Sequence, residues 1–255
     1  MKQTSSLLAI LIVGILLTGI SWLVSESKWA SSALLNIGSG MISAVVLIHF
    51  YELAREKHQS KIRSEKQRRA IQNQKITIRQ HYRVLLDCYR SSYSGNNPPR
   101  FKDINEFIGG HFGEVVASLD LYAPSPANSD GSVPYYKYIE NSFVQLSTSL
   151  QDMLHKSGEH LDQELYVAID NILNSDFMRI SNSLSSIFTF SIPGIGKVPS
   201  KLITSMNKQI NDHCIKFCKL VNILEKIEPL GLKEYKSEDW HNQIFPIGHA
   251  RLKDA

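Results

Sequence analysis

The chain has 255 residues and a formal charge of +4, with 28 Lys and Arg against 24 Asp and Glu. The charge is uneven: residues 1–51 carry +1, residues 52–70 carry +4 and residues 71–255 carry −1, which excludes a generally basic protein and leaves one basic collar. About 50 residues form a membrane part, and the ~200 that remain suffice for one or two soluble domains.

Leu7 to Val24 contains no charged residue, and at the helical rise its 18 residues reach about 27 Å against roughly 30 Å of hydrocarbon. Ala30 to Tyr51 follows after Ser25–Trp29, and its 22 residues reach about 33 Å. Trp22 and Trp29 bracket one interface and Tyr51 the other. The pattern predicts a transmembrane helical hairpin over residues 1–51, with spans at about 7–24 and 30–51. A cleaved signal peptide is the competing reading of the first run, with Met1-Lys2 as its charged start. Against it, the apolar run is long and no small-x-small cleavage site follows.

Orientation follows from basic residues close to the spans. Arg55, Lys57, Lys61, Arg63, Lys66, Arg68 and Arg69 follow the second run, against Glu52, Glu56 and Glu65, whereas the turn carries only Lys28. Both termini are therefore expected in the cytoplasm. All three cysteines, Cys88, Cys214 and Cys218, then lie where disulfides are not expected. The collar fits an anchor on anionic headgroups. Nucleic acid is the alternative ligand, although no aromatic residues are interleaved to stack on bases.

Within the second span, Ser32, Asn36, Ser39 and Ser43 recur at four, three and four residues, with Gly40 and Ala44 beside them. Gly14, Thr18 and Gly19 offer a similar small surface on the first span. Small and hydroxyl residues let helices approach closely and hydrogen-bond. One reading makes the stripe the glue between the two spans. The other has several copies assembling with the stripe inward along a polar path.

No helix breaker follows Tyr51 until Gly95-Asn96-Asn97-Pro98-Pro99, so the second span is expected to continue as one helix to about Arg90, residues 52–92 forming a basic juxtamembrane helix. Ile71, Ile78, Tyr82, Leu85 and Tyr89 mark where packing resumes. Residues 93–228 read as helical throughout: Lys102 to about Tyr122; Tyr135 to about Lys156; Leu161 to Ile187 running back antiparallel; and a helix capped by Ser200 that carries Leu202, Met206, Ile210, Phe217, Val221 and Leu224. Ala123–Pro134 is a surface loop, Pro193-Gly194-Ile195-Gly196 a hard break, and residues 229–255 a less regular tail with Trp240 and Phe245. The predicted class is all-α: hairpin, long helix and a cytoplasmic bundle of about five helices.

Candidate chemistry is sparse. His213-Cys214 with Cys218 places ligand-type residues one and four apart, but the paired spacing of zinc sites is missing, so ordinary buried cysteines explain them. His155 and His160 with Asp152, Glu159 and Asp162 read as a solvated helix junction. No nucleophile elbow, zinc-protease helix or phosphate loop occurs, and no cofactor, metal or catalytic residue is assigned.

The run Asn36-Ile37-Gly38-Ser39-Gly40-Met41-Ile42-Ser43-Ala44, in a span passing into a charged helix after Tyr51-Glu52, resembles the hairpin of two-span membrane proteins in bacterial antiphage loci. The overall plan is similar to the membrane effectors encoded beside retrons, over about the first quarter of the chain. That resemblance implies an inner-membrane effector held inactive by a reverse transcriptase with its RNA–DNA product. Once released, such an effector is expected to permeabilise the membrane as the toxin of an abortive-infection system. A homo-oligomer is the expected assembly. A non-enzymatic scaffold or sensor that recruits a cytoplasmic partner is the alternative. A membrane-tethered enzyme comes third.

Overall fold

The structure is a computed structural model, and it describes residues 2–24, 26–95, 101–109, 112–128, 131–188, 191–192, 196–197, 206–232 and 245–252. These residues are helical apart from loops, two isolated bridges and one pairing of two-residue strands, as the all-α reading expects. Contacts divide the chain into Met1–Ser64 and Glu65–Ala255.

The first unit holds α1 (Lys2–Leu23) and the amino-terminal part of α2 (Lys28–Ser92). They lie antiparallel, because Gly14 faces Gly38, Met41 and Ile42 while Ser21 faces Ser31. A Cβ on Gly38 would fall 2.4 Å from Thr18 Oγ1 and 2.7 Å from the Gly14 carbonyl oxygen. Only glycine permits backbones this close. Large apolar side chains point outward instead: Leu47 is 68 % exposed and Phe50 65 %.

In sequence, α2 has no proline, and the structure carries it unbroken for 65 residues, as the absence of breakers predicted. Its carboxyl-terminal part enters the core of the second unit, where Ile71, Ile78, Tyr82, Leu85 and Tyr89 are all buried. Packed there are α3 (Ile104–Gly109), α4 (Phe112–Val116), α5 (Tyr135–Ser157), α6 (Gln163–Leu173), α7 (Asp176–Ser181), α8 (Leu184–Phe188) and α9 (Asn207–Ile227). Ser191–Ile192 pairs antiparallel with Gly196–Lys197.

Two long helical expectations are corrected. The helix predicted over Lys102–Tyr122 is broken into α3 and α4, and ends at Val116. Asp103 starts α3 by accepting from the Asn105 and Glu106 N–H groups, and α3 ends on Gly109, a poor helix former. The helix predicted over Leu161–Ile187 is three helices, because Ser175 Oγ accepts from Met178 N–H and begins a new one. The path still returns along α5, with Phe177 5.3 Å from Phe143 and the Ser185 N–H on Glu140. Ser200, Leu202, Asn96–Pro99, Pro193–Ile195 and Trp240 lie outside the described residues. The described helix after them begins at Asn207, with Met206 at its cap position.

The base of the Ala123–Pro134 loop is pinned, since Pro124 bridges Pro134 and Ser125 N–H donates to the Val133 carbonyl at 2.8 Å. In the tail, Leu230 and Leu232 are buried, and residues 245–252 lie across the carboxyl end of α2.

Candidate functional site

The residues expected to carry function lie in two places along α2. The contact between α1 and α2 is made by Gly14, Thr18 and Ser21 on one side and Ser31, Gly38, Met41 and Ile42 on the other. Thr18 Oγ1 turns back to the Gly14 carbonyl at 2.9 Å, and Ser31 Oγ donates across the contact to the Ser21 carbonyl at 2.8 Å. Each hydroxyl is thus satisfied in an apolar setting.

Ser32, Asn36, Ser39, Gly40 and Ser43 do not join that contact and are exposed. A Cβ added to Gly40 would meet nothing within 4 Å, and Ser39 Oγ donates only to the Asn36 carbonyl of its own helix. Of the small surface expected on α1, Gly14 and Thr18 are used, whereas Gly19 is open. Sequence spacing placed the stripe on one face of α2 and Gly14, Thr18 and Gly19 on α1. It could not say which face α1 covers, because glycine and serine at four-residue intervals suit either.

The basic collar divides. Arg55, Lys57, Lys61 and Arg63 are exposed residues of the first unit, and Arg69 is an exposed residue of the second. Lys66 and Arg68 meet groups of the second unit: Lys66 Nζ is 2.9 Å from His160 Nε2, and Arg68 Nε pairs with Glu228. Gln67 between them donates to Asp162 at 3.0 Å. The Gln72 amide and the Arg68 guanidinium hold the Glu228 carboxyl below the usual carboxylate range. Lys156 pairs with Asp152 at 2.6 Å and His160 with Glu159 at 3.0 Å, so the junction expected at these residues receives the collar's end.

The second unit contains a polar feature that sequence reasoning missed. His81 of α2 and His213 of α9 are fully buried, with Nε2 atoms 3.3 Å apart. His81 Nδ1 is 3.0 Å from Ser142 Oγ, and His213 Nδ1 is 3.1 Å from Ser175 Oγ. A bond between the two Nε2 atoms needs one ring to donate and the other to accept, and each serine hydroxyl, able both to donate and to accept, completes the chain at Nδ1 in either sense. Phe143 and Phe217 stand edge-on to His81 at 4.6 and 5.0 Å, and Phe177 lies against His213. Burial pushes His213 down to about 3, and burial with the neighbouring His213 pushes His81 well below its ordinary value. The signal in the sequence was a histidine standing in the apolar register of each helix, between Ile78 and Leu85 and between Ile210 and Phe217.

This arrangement takes His213 away from the cysteines it was grouped with. Cys88 and Cys214 are buried and their thiols are pushed up by burial, while burial and nearby Asp103 push Cys218 up to about 12. Such thiols are poor nucleophiles and poor ligands. Among the described residues no group of three or more His, Cys, Asp or Glu side chains is placed to hold a metal ion. A shallow hollow between α3, α6 and α9 is lined by Asn105, Glu164, Ile215 and Lys219.

By length and composition α2 can cross a membrane, and the apolar stretch of α1, Leu7–Leu23, is a shorter candidate. No protein-family model matches the chain, nor does any curated protein or solved structure.

Proposed function

We propose that this chain is a two-span protein of the bacterial inner membrane with both termini in the cytoplasm, and that it acts as a non-enzymatic effector that permeabilises that membrane when a cytoplasmic partner releases it. In this reading α1 and residues 30–51 of α2 form the hairpin, Arg55, Lys57 and Lys61 meet anionic headgroups, and the helices after residue 92 form the cytoplasmic bundle. The resemblance to retron-associated effectors supplies the class of partner, a reverse transcriptase with its RNA–DNA product, and the abortive-infection role.

The observation that carries the proposal is the stripe Ser32, Asn36, Ser39, Gly40 and Ser43, left uncovered by α1 on a stretch of α2 that also exposes Leu35, Ile37, Val46, Leu47, Ile48 and Phe50. Polar groups facing lipid are costly, so the stripe calls for a further helix or water, and copies of the same hairpin supply both. The test is membrane potential, followed with a voltage-sensitive dye on induced expression, with and without the neighbouring genes of the locus. Asn36→Leu and Gly40→Leu are expected to abolish depolarisation while membrane insertion persists. Gly40→Leu is the sharper variant because the hairpin has room for it. Undiminished depolarisation by both variants would overturn the pore stripe.

The scaffold reading is favoured by a separate observation, the continuous core that the second unit builds for itself. If recruitment is the whole function, an unrelated two-span anchor in place of residues 1–51 will preserve activity.

A further inference from the structure

The carboxyl end of α2 is closed by the end of the chain. A helix leaves its last carbonyls without partners. Here Gly248 N–H donates to the Arg90 carbonyl at 3.0 Å and Ala250 N–H to the Ser91 carbonyl at 3.1 Å. The Ser92 carbonyl accepts from Ser118 Oγ at 3.1 Å, and the Arg90 guanidinium holds the Phe245 carbonyl. On its other side the same segment joins the turn after α4. Asp120 N–H donates to the Ala250 carbonyl at 2.7 Å, Leu252 N–H donates to the Ser118 carbonyl at 2.8 Å, and Leu119 bridges Arg251. His249 stacks on Phe245 at 4.6 Å and places Nε2 3.0 Å from the Pro124 carbonyl.

The attachment is built on backbone bonds, to which Arg90 and His249 add side-chain contacts and Ile247 partly buried apolar packing. Ala250, at 2 % exposure, is the fully buried side chain of 245–252, while the others described there are half-buried or exposed. Segments held by hydrogen bonds with little buried apolar surface open at lower free energy than the core. Gly248 is the pivot. Its φ is +74°, and a Cβ there would lie 2.7 Å from the Tyr93 carbonyl oxygen, so any side chain is excluded both by conformation and by space.

We infer that residues 245–252 are a releasable latch on α2, which opens ahead of the core and, while closed, keeps the membrane hairpin silent. The silencing half rests on the function proposed above, and the opening half does not. Opening would expose the last α2 carbonyls and the backbone of residues 118–120 together.

Hydrogen exchange on the full-length protein in detergent tests the opening. Amides of Gly248, Ala250 and Leu252 are expected to exchange at least tenfold faster than those of Leu220–Leu224 in α9. In Gly248→Val they lose protection while the α9 amides keep theirs. Exchange of both sets at one rate in the unaltered chain, or joint loss in Gly248→Val, would overturn the latch. Dye-reported depolarisation tests the silencing. Gly248→Val is expected to depolarise cells several-fold more than the unaltered chain at equal expression, and adding Asn36→Leu should remove the excess. If the unaltered chain depolarises cells on triggering but Gly248→Val, with its strap open, adds nothing, the silencing role fails. If no chain depolarises cells under any condition, the effector reading fails and takes the silencing with it, while the exchange rates still decide the opening.

Discussion

The two units of this molecule are built in opposite senses. Met1–Ser64 brings glycine, threonine and serine, with Met41 and Ile42, to its helix contact and leaves Leu8, Ile15, Leu16, Trp22, Leu47 and Phe50 outside. Glu65–Ala255 buries its aromatic and aliphatic side chains and encloses two histidines among them. Among the described residues, the large apolar side chains exposed in the second unit are only Ile76, Val144, Tyr166, Val167 and Ile215. The contrast teaches that helices can be held together by different means: close backbone approach and hydroxyl bonds in the first unit, burial of apolar area in the second.

The largest effect that sharpens this comparison is expected from Phe217→Ala, which empties the space beside His81 and should destabilise the second unit by about 3–5 kcal/mol in denaturant unfolding. Leu47→Ala, which removes an equally apolar but exposed side chain, should leave that transition unmoved. Next comes Gly38→Val. Its added carbons fall on Thr18 and the Gly14 backbone, so overpacking of about 1–3 kcal/mol should separate α1 from α2. Loss of a disulfide cross-link between cysteines introduced at Ser21 and Ser31 reads this directly, and unchanged cross-linking would break the account of the contact.

Acid provides the third test. His213 titrates near 6.5 when unfolded and is held to about 3 when folded, so below about pH 6.5 the unfolded chain binds the extra proton and stability falls as pH falls. Between pH 6.5 and 5 this single group removes about 2 kcal/mol, and His81 adds to the loss in the same direction. Unfolding midpoints of the unaltered chain and of His213→Gln across that range check it, the variant having the shallower slope. The smallest effect belongs to Glu228→Gln. Arg68 is 61 % exposed, so solvent screens the pair and its contribution is small, present at neutral pH and lost as pH falls through the depressed carboxyl value.

Much of the fold was legible in the chain. The uninterrupted course of α2 followed from an absence of breakers, and the resumption of packing at Ile71, Ile78, Tyr82, Leu85 and Tyr89 followed from their spacing. The breaks at Gly109 and Ser175 were harder to read. Apolar periodicity runs on through them, while a poor helix former ends α3 at Gly109 and a capping bond from Met178 N–H to Ser175 Oγ begins a new helix. For the candidate site, spacing collected Ser32, Asn36, Ser39, Gly40 and Ser43 on one face but left open whether α1 covers it.

The sequence by itself determined the helical class, the apolar hairpin pattern and the basic collar, because these depend on near neighbours along the chain: period, charge and the absence of proline. Tertiary structure alone decided that Gly38 rather than Gly40 meets α1, that His81 and His213 share a hydrogen bond across 132 residues, and that Gly248 and Ala250 close the end of α2. Those outcomes depend on which surfaces meet, and local periodicity is the same whichever partner arrives.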